Sequence, residues 1–182
     1  TPDLYSREAG KPRPSSIPEL LARWYATPDD QALADLRGAV AHLKGRADCN
    51  QKVAMVGFCS GGRYALMVAC TTGGLETVID CYGGRVVRAD VIPTQPVLPI
   101  TILDGLACPF LGIFGDLDQD PAVDDVDRLR AELAHHGKSF ETRMYSGANH
   151  AFLNFEAPPL YNPQAAEQAW GEINAWLDGH LK

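Results

Sequence analysis

Hydrophobic and polar positions follow one another along the chain in two patterns, one typical of amphipathic helices and one of buried strands. Short apolar runs predict strands buried in a parallel sheet at residues 52–58, 78–82 and 110–114, and an alternating stretch predicts a fourth at 140–145. Apolar residues recurring every three or four positions predict helices at residues 17–25, 27–44, 61–72, 121–136 and 163–181. In the last helix we expect Ala166, Trp170, Ile173 and Leu177 to face inward.

The order of these elements indicates the fold class. Helices that alternate with buried strands predict an α/β layered fold with a mostly parallel central sheet. The segment 85–105 contains three prolines, and we expect it to be irregular. The sequence shows no internal repeat and no low-complexity linker, so we expect a single domain over residues 1–182.

Composition and charge exclude several function classes. The chain has 182 residues, of which 46% are hydrophobic and 21% charged, values that are ordinary for a globular domain. Its formal net charge of −7 disfavours nucleic acid and anionic membrane surfaces, because both attract basic proteins. No stretch approaches the roughly 20 apolar residues that span a bilayer. The five cysteines lack the spacing of a disulfide framework, so we expect reduced thiols in a cytoplasmic protein.

The sharpest local feature is the sequence Gly-Phe-Cys-Ser-Gly-Gly at residues 57–62, where the first predicted strand must turn into a helix. So tight a turn from strand to helix strains its central residue and requires small residues two positions before and two after it. Gly57 and Gly61 occupy those positions around Cys59. Counting from Ser60 instead would put Phe58 where a small residue is needed, so the sequence predicts Cys59 at the apex.

The apex of such a turn favours nucleophilic chemistry. A side chain there is lifted clear of the sheet, at the positive end of the next helix, where a thiolate is favoured over a thiol. Backbone N–H groups at the same place can hold a developing oxyanion. We therefore expect Cys59 to be a nucleophile and the Ser60 N–H to bind the oxyanion.

A thiol nucleophile of this kind requires a histidine, and the histidine requires an acid to orient it. His150 lies in a loop after the last predicted strand, where parallel sheets place their chemistry. Three carboxylates follow the strand 110–114. Asp120 precedes a proline and is expected to cap the next helix, whereas spacing alone does not separate Asp116 from Asp118. This acidic loop lacks the glycine hinge and distal glutamate of a calcium loop, so we expect no metal.

Three motifs together resemble the dienelactone hydrolase (carboxymethylenebutenolidase) family. They are the cysteine-centred elbow, the sequence Gly-Asp-Leu-Asp at 115–118 with a proline shortly after, and Gly-Ala-Asn-His-Ala-Phe at 147–152. The resemblance covers essentially the whole chain. It implies a three-layer α/β-hydrolase fold, hydrolysis of esters or lactones through an acyl-thioester, and no metal or organic cofactor. It also implies the triad Cys59, Asp118 and His150, because the family pattern selects Asp118 over Asp116.

Two departures from the family qualify this expectation. The family domain normally starts some tens of residues earlier, so we expect its N-terminal strands and second oxyanion donor to be lacking here. The position four after the histidine is an arginine that binds a substrate carboxylate in dienelactone hydrolases, and here it is Asn154. Arg63 and Arg85 are therefore candidate substrate-binding residues beside Asn154. We expect a monomer or homodimer that acts on a small-molecule ester or lactone.

The alternative interpretation is a non-catalytic hydrolase-like domain that binds a small molecule or a protein. A sheet that lacks its first strands exposes an edge, which favours pairing with a partner. A thiol redox protein is a weaker alternative, because no two cysteines stand at Cys-x-x-Cys spacing.

Overall fold

A computed structural model describes residues 1–8, 10, 12 and 14–182, and its centre is a sheet of four parallel strands. The strands lie across the sheet in chain order, as β1 (Ala54–Phe58), β2 (Thr77–Cys81), β3 (Phe110–Gly115) and β4 (Phe140–Tyr145). The helices are α1 (Ile17–Ala26), α2 (Asp29–Lys44), α3 (Ser60–Thr72), α4 (Val123–His135) and α5 (Pro163–Leu181). This alternation confirms the predicted α/β fold class.

The two faces of the sheet are covered by different helices, which gives the three layers. Because successive strand residues point to opposite faces, Val78 of β2 packs into one core and Ile79 into the other. The first core is built with apolar side chains of α2, α3 and α4. The second core is built with α5, through Ala169, Ile173 and their neighbours. Both faces of the central strands are therefore buried, as their continuous apolar runs predicted.

The most deeply buried helix is α3, which follows β1 after a single residue. It lies between the sheet, α2 and a 3-10 helix at Pro99–Gly105. A Cβ added at Gly105 would clash with the carbonyl oxygen of Cys70 at the other end of α3, so glycine permits this close approach. The helix that follows the predicted nucleophile is thus held by packing on several sides.

Several element bounds differ from the sequence predictions. The strand predicted at 52–58 begins at Ala54, and the segment 85–105, predicted to be irregular, contains the 3-10 helix. The predicted inward position of Trp170 is wrong, because 42% of this side chain is exposed and its ring packs beside Phe58. In the part of the chain that the structure describes, no helix is both long and apolar enough to cross a membrane.

Because the strands are parallel, the four loops that follow them all leave the sheet on the same side, at the carboxyl ends of the strands. Phe58, Cys81, Gly115 and Tyr145 end the four strands on this side. The loops that follow them carry all of the residues predicted for the triad. The fold therefore positions the candidate site as parallel sheets generally do, at the carboxyl ends of the strands.

Candidate active site

Cys59 lies at the apex of the turn between β1 and α3. Its backbone has φ 55° and ψ −122°, a region that non-glycine residues rarely adopt and that indicates local strain. Its N–H donates to the carbonyl of Cys81 at 3.0 Å, which ties the apex to the end of the neighbouring strand β2. The side chain is half-buried, and the first N–H groups of α3, beginning with Ser60, lie next to it.

The glycines around the apex have different roles from those predicted. A Cβ on Gly57 would clash with the backbone of Gly61, so position 57 has no room for a side chain. At Gly61 the predicted requirement is not seen, because a Cβ there would meet no heavy atom within 4 Å outside its chain neighbours and the backbone of its own helix. Gly62 is the second constrained position, because its Cβ would collide with the carboxyl group of Asp80 beneath the helix.

The structure brings His150 and Asp118 together. Nδ1 of His150 lies 2.9 Å from Oδ2 of Asp118, whose side chain is almost fully buried. The other oxygen of Asp118 accepts a hydrogen bond from the N–H of Asp120 at 2.9 Å. Asp116 has a different partner, the N–H of Gly147, which donates to its carboxylate at 2.7 Å. The two acids that spacing could not separate thus have distinct contacts, one with the imidazole and one with the backbone of its loop.

His150 is held between an acid and a thiol. Burial alone would lower the pKa of this histidine, but hydrogen bonds from its ring to Asp118 and Cys59 outweigh that effect and raise its pKa to about 10. The imidazole is therefore expected to carry a proton at neutral pH. A protonated ring between two acceptors suits a residue that delivers a proton to a leaving group.

Two residues that sequence reasoning missed support the histidine loop. Tyr82, which follows β2, places its ring edge-on to the His150 ring with centroids 5.3 Å apart, and its backbone has a positive φ of 45°. At Gly115, which ends β3, a Cβ would clash with the carbonyl of Ala148 in the histidine loop. The sequence could have pointed to both residues by their positions, because Tyr82 ends one predicted strand and Gly115 directly follows another, at the carboxyl ends where the candidate site lies.

Asp120 does not cap the following helix, so that expectation is wrong. Its carboxylate accepts the backbone N–H of Arg85 at 3.0 Å, and α4 begins three residues later, at Val123. The cap is formed by Asp125, whose side chain accepts the N–H of Ala122 at 3.0 Å. Asp120 therefore joins the loop after β3 to the loop after β2.

The three candidate substrate-binding residues lie in different surroundings. Arg63 is fully buried and forms a bidentate ion pair with Asp29, at 2.6 and 2.9 Å, so substrate contact is not supported for it. Arg85 is 9% exposed, and its guanidinium donates to the carbonyl of Asp90 at 2.6 Å. Asn154 lines a cavity of about 310 Å³ that also contains Cys59 in its wall. Of the three, Asn154 is the one that shares a cavity with the thiol.

Within the described ranges, no group of three or more His, Cys, Asp or Glu side chains is arranged to hold a metal ion. Two further cavities lie along β4 and α5, with volumes of about 410 and 370 Å³. Neither is lined by Cys59, His150 or Asp118. Of these three cavities, the one of about 310 Å³ at the elbow is therefore the one that reaches the candidate nucleophile.

The chain is similar to known proteins along nearly its whole length. A protein of Methylorubrum extorquens, provisionally named a carboxymethylenebutenolidase, is 28% identical over 97% of this chain and 60% of its own length. A protein of Escherichia coli O157:H7 with the same provisional name is 31% identical over 97% of this chain and 64% of its own. The chain thus spans less than two thirds of either relative.

The fold is also found in a solved structure with a related description. The crystal structure of a protein from Klebsiella pneumoniae, provisionally described as a dienelactone hydrolase, has a TM-score of 0.88 and 27% identity, covering 97% of this chain and 73% of that one. The sequence profile of the dienelactone hydrolase family matches residues 1–181. The chain therefore belongs to the dienelactone hydrolase family.

Proposed function

We propose that the chain is a hydrolase of carboxylic esters or lactones that uses Cys59, His150 and Asp118 as its catalytic residues. The observation that carries this proposal is the 2.9 Å contact of His150 with Asp118, beside a thiol that the elbow holds in a strained conformation. Family membership supports the same reaction class. The carboxymethylenebutenolidase names of its relatives describe lactone hydrolysis in those proteins.

In the first half of the reaction, the thiolate of Cys59 attacks the carbonyl carbon of the substrate. The negative charge that develops on the carbonyl oxygen is stabilised by the N–H of Ser60, at the positive end of α3. His150 then donates its proton to the departing alkoxide, and an acyl-thioester remains on Cys59. In a lactone the alkoxide stays attached to the acyl group, so the ring opens without loss of a fragment.

In the second half, water replaces the alcohol. The imidazole of His150, now neutral, takes a proton from a water molecule, which attacks the thioester and releases the acid. Asp118 keeps the proton of Nδ1 in place and stabilises the imidazolium that forms. Each half returns His150 to the protonation state that the other half requires.

The test is hydrolysis of p-nitrophenyl acetate by the intact chain and by Cys59→Ala. We expect the variant to lose turnover and the single fast reaction with iodoacetamide, while Cys49→Ala, which removes a half-buried cysteine elsewhere, retains both. Undiminished turnover in Cys59→Ala would reject the proposal. A correctly folded chain that gives no acyl-enzyme burst with an activated ester would instead favour the alternative, a non-catalytic binding domain.

A further inference from the structure

The cavity beside Cys59 has a predominantly aromatic and apolar wall. Its volume of about 310 Å³ lies at the small end of the range of ligand sites, roughly 300–1,000 Å³. Six apolar or aromatic residues line it: Phe58, Tyr82, Ala151, Leu153, Phe155 and Trp170.

Three of the four aromatic rings of this wall form a connected group. Phe58 lies between Tyr82 and Trp170, with ring centroids 6.3 Å from the first and 5.8 Å from the second. Part of this surface is open, since Phe58 is 38% and Phe155 72% exposed. Rings tilted in this way offer both faces and edges to a flat apolar group, the arrangement in which aromatic contacts are most favourable.

The polar groups of the cavity are few. They are the sulfur of Cys59, the hydroxyl of Tyr82 and the amide of Asn154, which can donate or accept a hydrogen bond. No lysine or arginine occurs among its described lining residues. A carboxylate transferred from water into such a wall would lose its hydration without gaining a cationic partner, and that loss is costly.

Two arginines near this region in the sequence, Arg63 and Arg85, have partners outside the cavity. Both terminal nitrogens of Arg63 are engaged, by the carboxylate of Asp29 and by the carbonyl of Val97 at 2.8 Å. The guanidinium of Arg85 donates to Asp90 and lies over the ring of Tyr25, 5.3 Å from its centroid. The nearest cation is the protonated imidazole of His150, and it is already paired with the carboxylate of Asp118 at 2.9 Å.

From these observations we propose that the site selects uncharged esters or lactones with an aromatic or other flat apolar group, and discriminates against substrates that carry a carboxylate on that group. This inference rests on the proposed function and names its substrate class. The aromatic wall holds the apolar group, Asn154 offers a neutral hydrogen bond, and the scissile carbonyl lies over Cys59. A carboxylate on the apolar group would meet no lysine or arginine among the described lining residues, and the imidazolium of His150 is already held by Asp118.

The experiment compares p-nitrophenyl benzoate with its 4-carboxy derivative, two esters that differ only in the charge on the ring. Their kcat/KM values, each divided by the rate of alkaline hydrolysis, are expected to favour the neutral ester by at least about tenfold. Asn154→Arg is expected to reduce or reverse this preference, whereas the neutral control Asn154→Gln is expected to keep it. Equal use of both esters, or preference for the carboxylate, would overturn the inference while leaving the hydrolase proposal intact.

Binding of compounds that cannot be hydrolysed separates the inference from catalysis. Acetophenone and 4-acetylbenzoate, titrated against the intact chain, should differ in Kd by at least about tenfold in favour of acetophenone. Trp170→Ala should weaken the binding of acetophenone. If neither compound binds, or if 4-acetylbenzoate binds as well as acetophenone, the inference is wrong whether or not the chain hydrolyses esters. Selective binding of acetophenone without any ester turnover would reject the hydrolase proposal alone.

Discussion

Nδ1 of His150 lies 2.9 Å from a carboxylate oxygen of Asp118, although the two residues belong to loops that follow different strands. Strands β3 and β4 are parallel neighbours whose register ends with Gly115 opposite Tyr145, so both loops leave the sheet at the same level. The pairing is reinforced nearby, where Asp116 accepts the N–H of Gly147 at 2.7 Å. One carboxylate orients the imidazole, and the other holds the loop that carries it.

The two acids of this loop are expected to respond differently to substitution. Asp118→Asn removes the charge that stabilises the imidazolium and permits the wrong tautomer, so we expect kcat to fall by about 10³-fold or more. Asp116→Asn preserves the length of the side chain and an acceptor for Gly147, and should retain most activity. Steady-state hydrolysis of p-nitrophenyl acetate measures both. A larger loss in Asp116→Asn than in Asp118→Asn would contradict the assignment.

The raised pKa of His150 predicts how stability depends on pH. Its pKa is about 10 in the folded chain and about 6.5 when unfolded, so the folded state binds the proton more tightly. The corresponding stabilisation is fully present below about pH 6.5 and is lost as the pH rises towards 10. Because the ring is partly solvated, we expect about 1–3 kcal/mol. Chemical denaturation of the chain and of His150→Gln between pH 6 and 10 should show a difference that shrinks with rising pH; a constant difference would refute it.

The elbow provides a matched pair of glycine substitutions. Gly57→Ala places a Cβ against the backbone of Gly61, and we expect it to destabilise the fold by about 3 kcal/mol or more and to displace Cys59. Gly61→Ala meets open space in the first turn of α3 and should be neutral or stabilising by up to about 1 kcal/mol. Thermal unfolding and the iodoacetamide rate of each variant test this. Equal destabilisation by both would show that the elbow is constrained differently.

The elbow and the positions of the strands along the chain were predictable because their constraints are local. The strained turn at Cys59 is indicated by small residues within a few positions of it, and continuous apolar runs mark buried parallel strands. The partner of Arg63 was not predictable, because Asp29 lies 34 positions away and meets it only once α2 packs on α3. The constraint on Gly62 was missed for the same reason, since it comes from a side chain of β2 beneath the helix. Features that depend on neighbouring residues could thus be predicted from the sequence. The partners of charged side chains could not, because these partners come together only when distant elements pack.

Asp80, the residue beneath Gly62, is the remaining titratable group close to the elbow. Its side chain lies fully buried near the end of β2, and burial raises its pKa to about 7 although the backbone of Gly83 acts in the opposite direction. In the unfolded chain the group ionises near pH 4, so between about pH 4 and 7 the folded state binds more protons. The buried carboxyl therefore destabilises the fold increasingly as the pH rises across that range.

Asp80→Asn should relieve this penalty, because the amide has nearly the same shape and never ionises. We expect the variant to match the parent chain near pH 4 and to exceed its free energy of unfolding by about 2–4 kcal/mol at pH 8. Urea denaturation at the two pH values measures the difference, and Asp80→Ala, which leaves a cavity, controls for lost packing. A gain that is the same at both pH values would show that folding does not raise the pKa of Asp80, and a loss at pH 8 would show that the fold stabilises the ionised carboxylate.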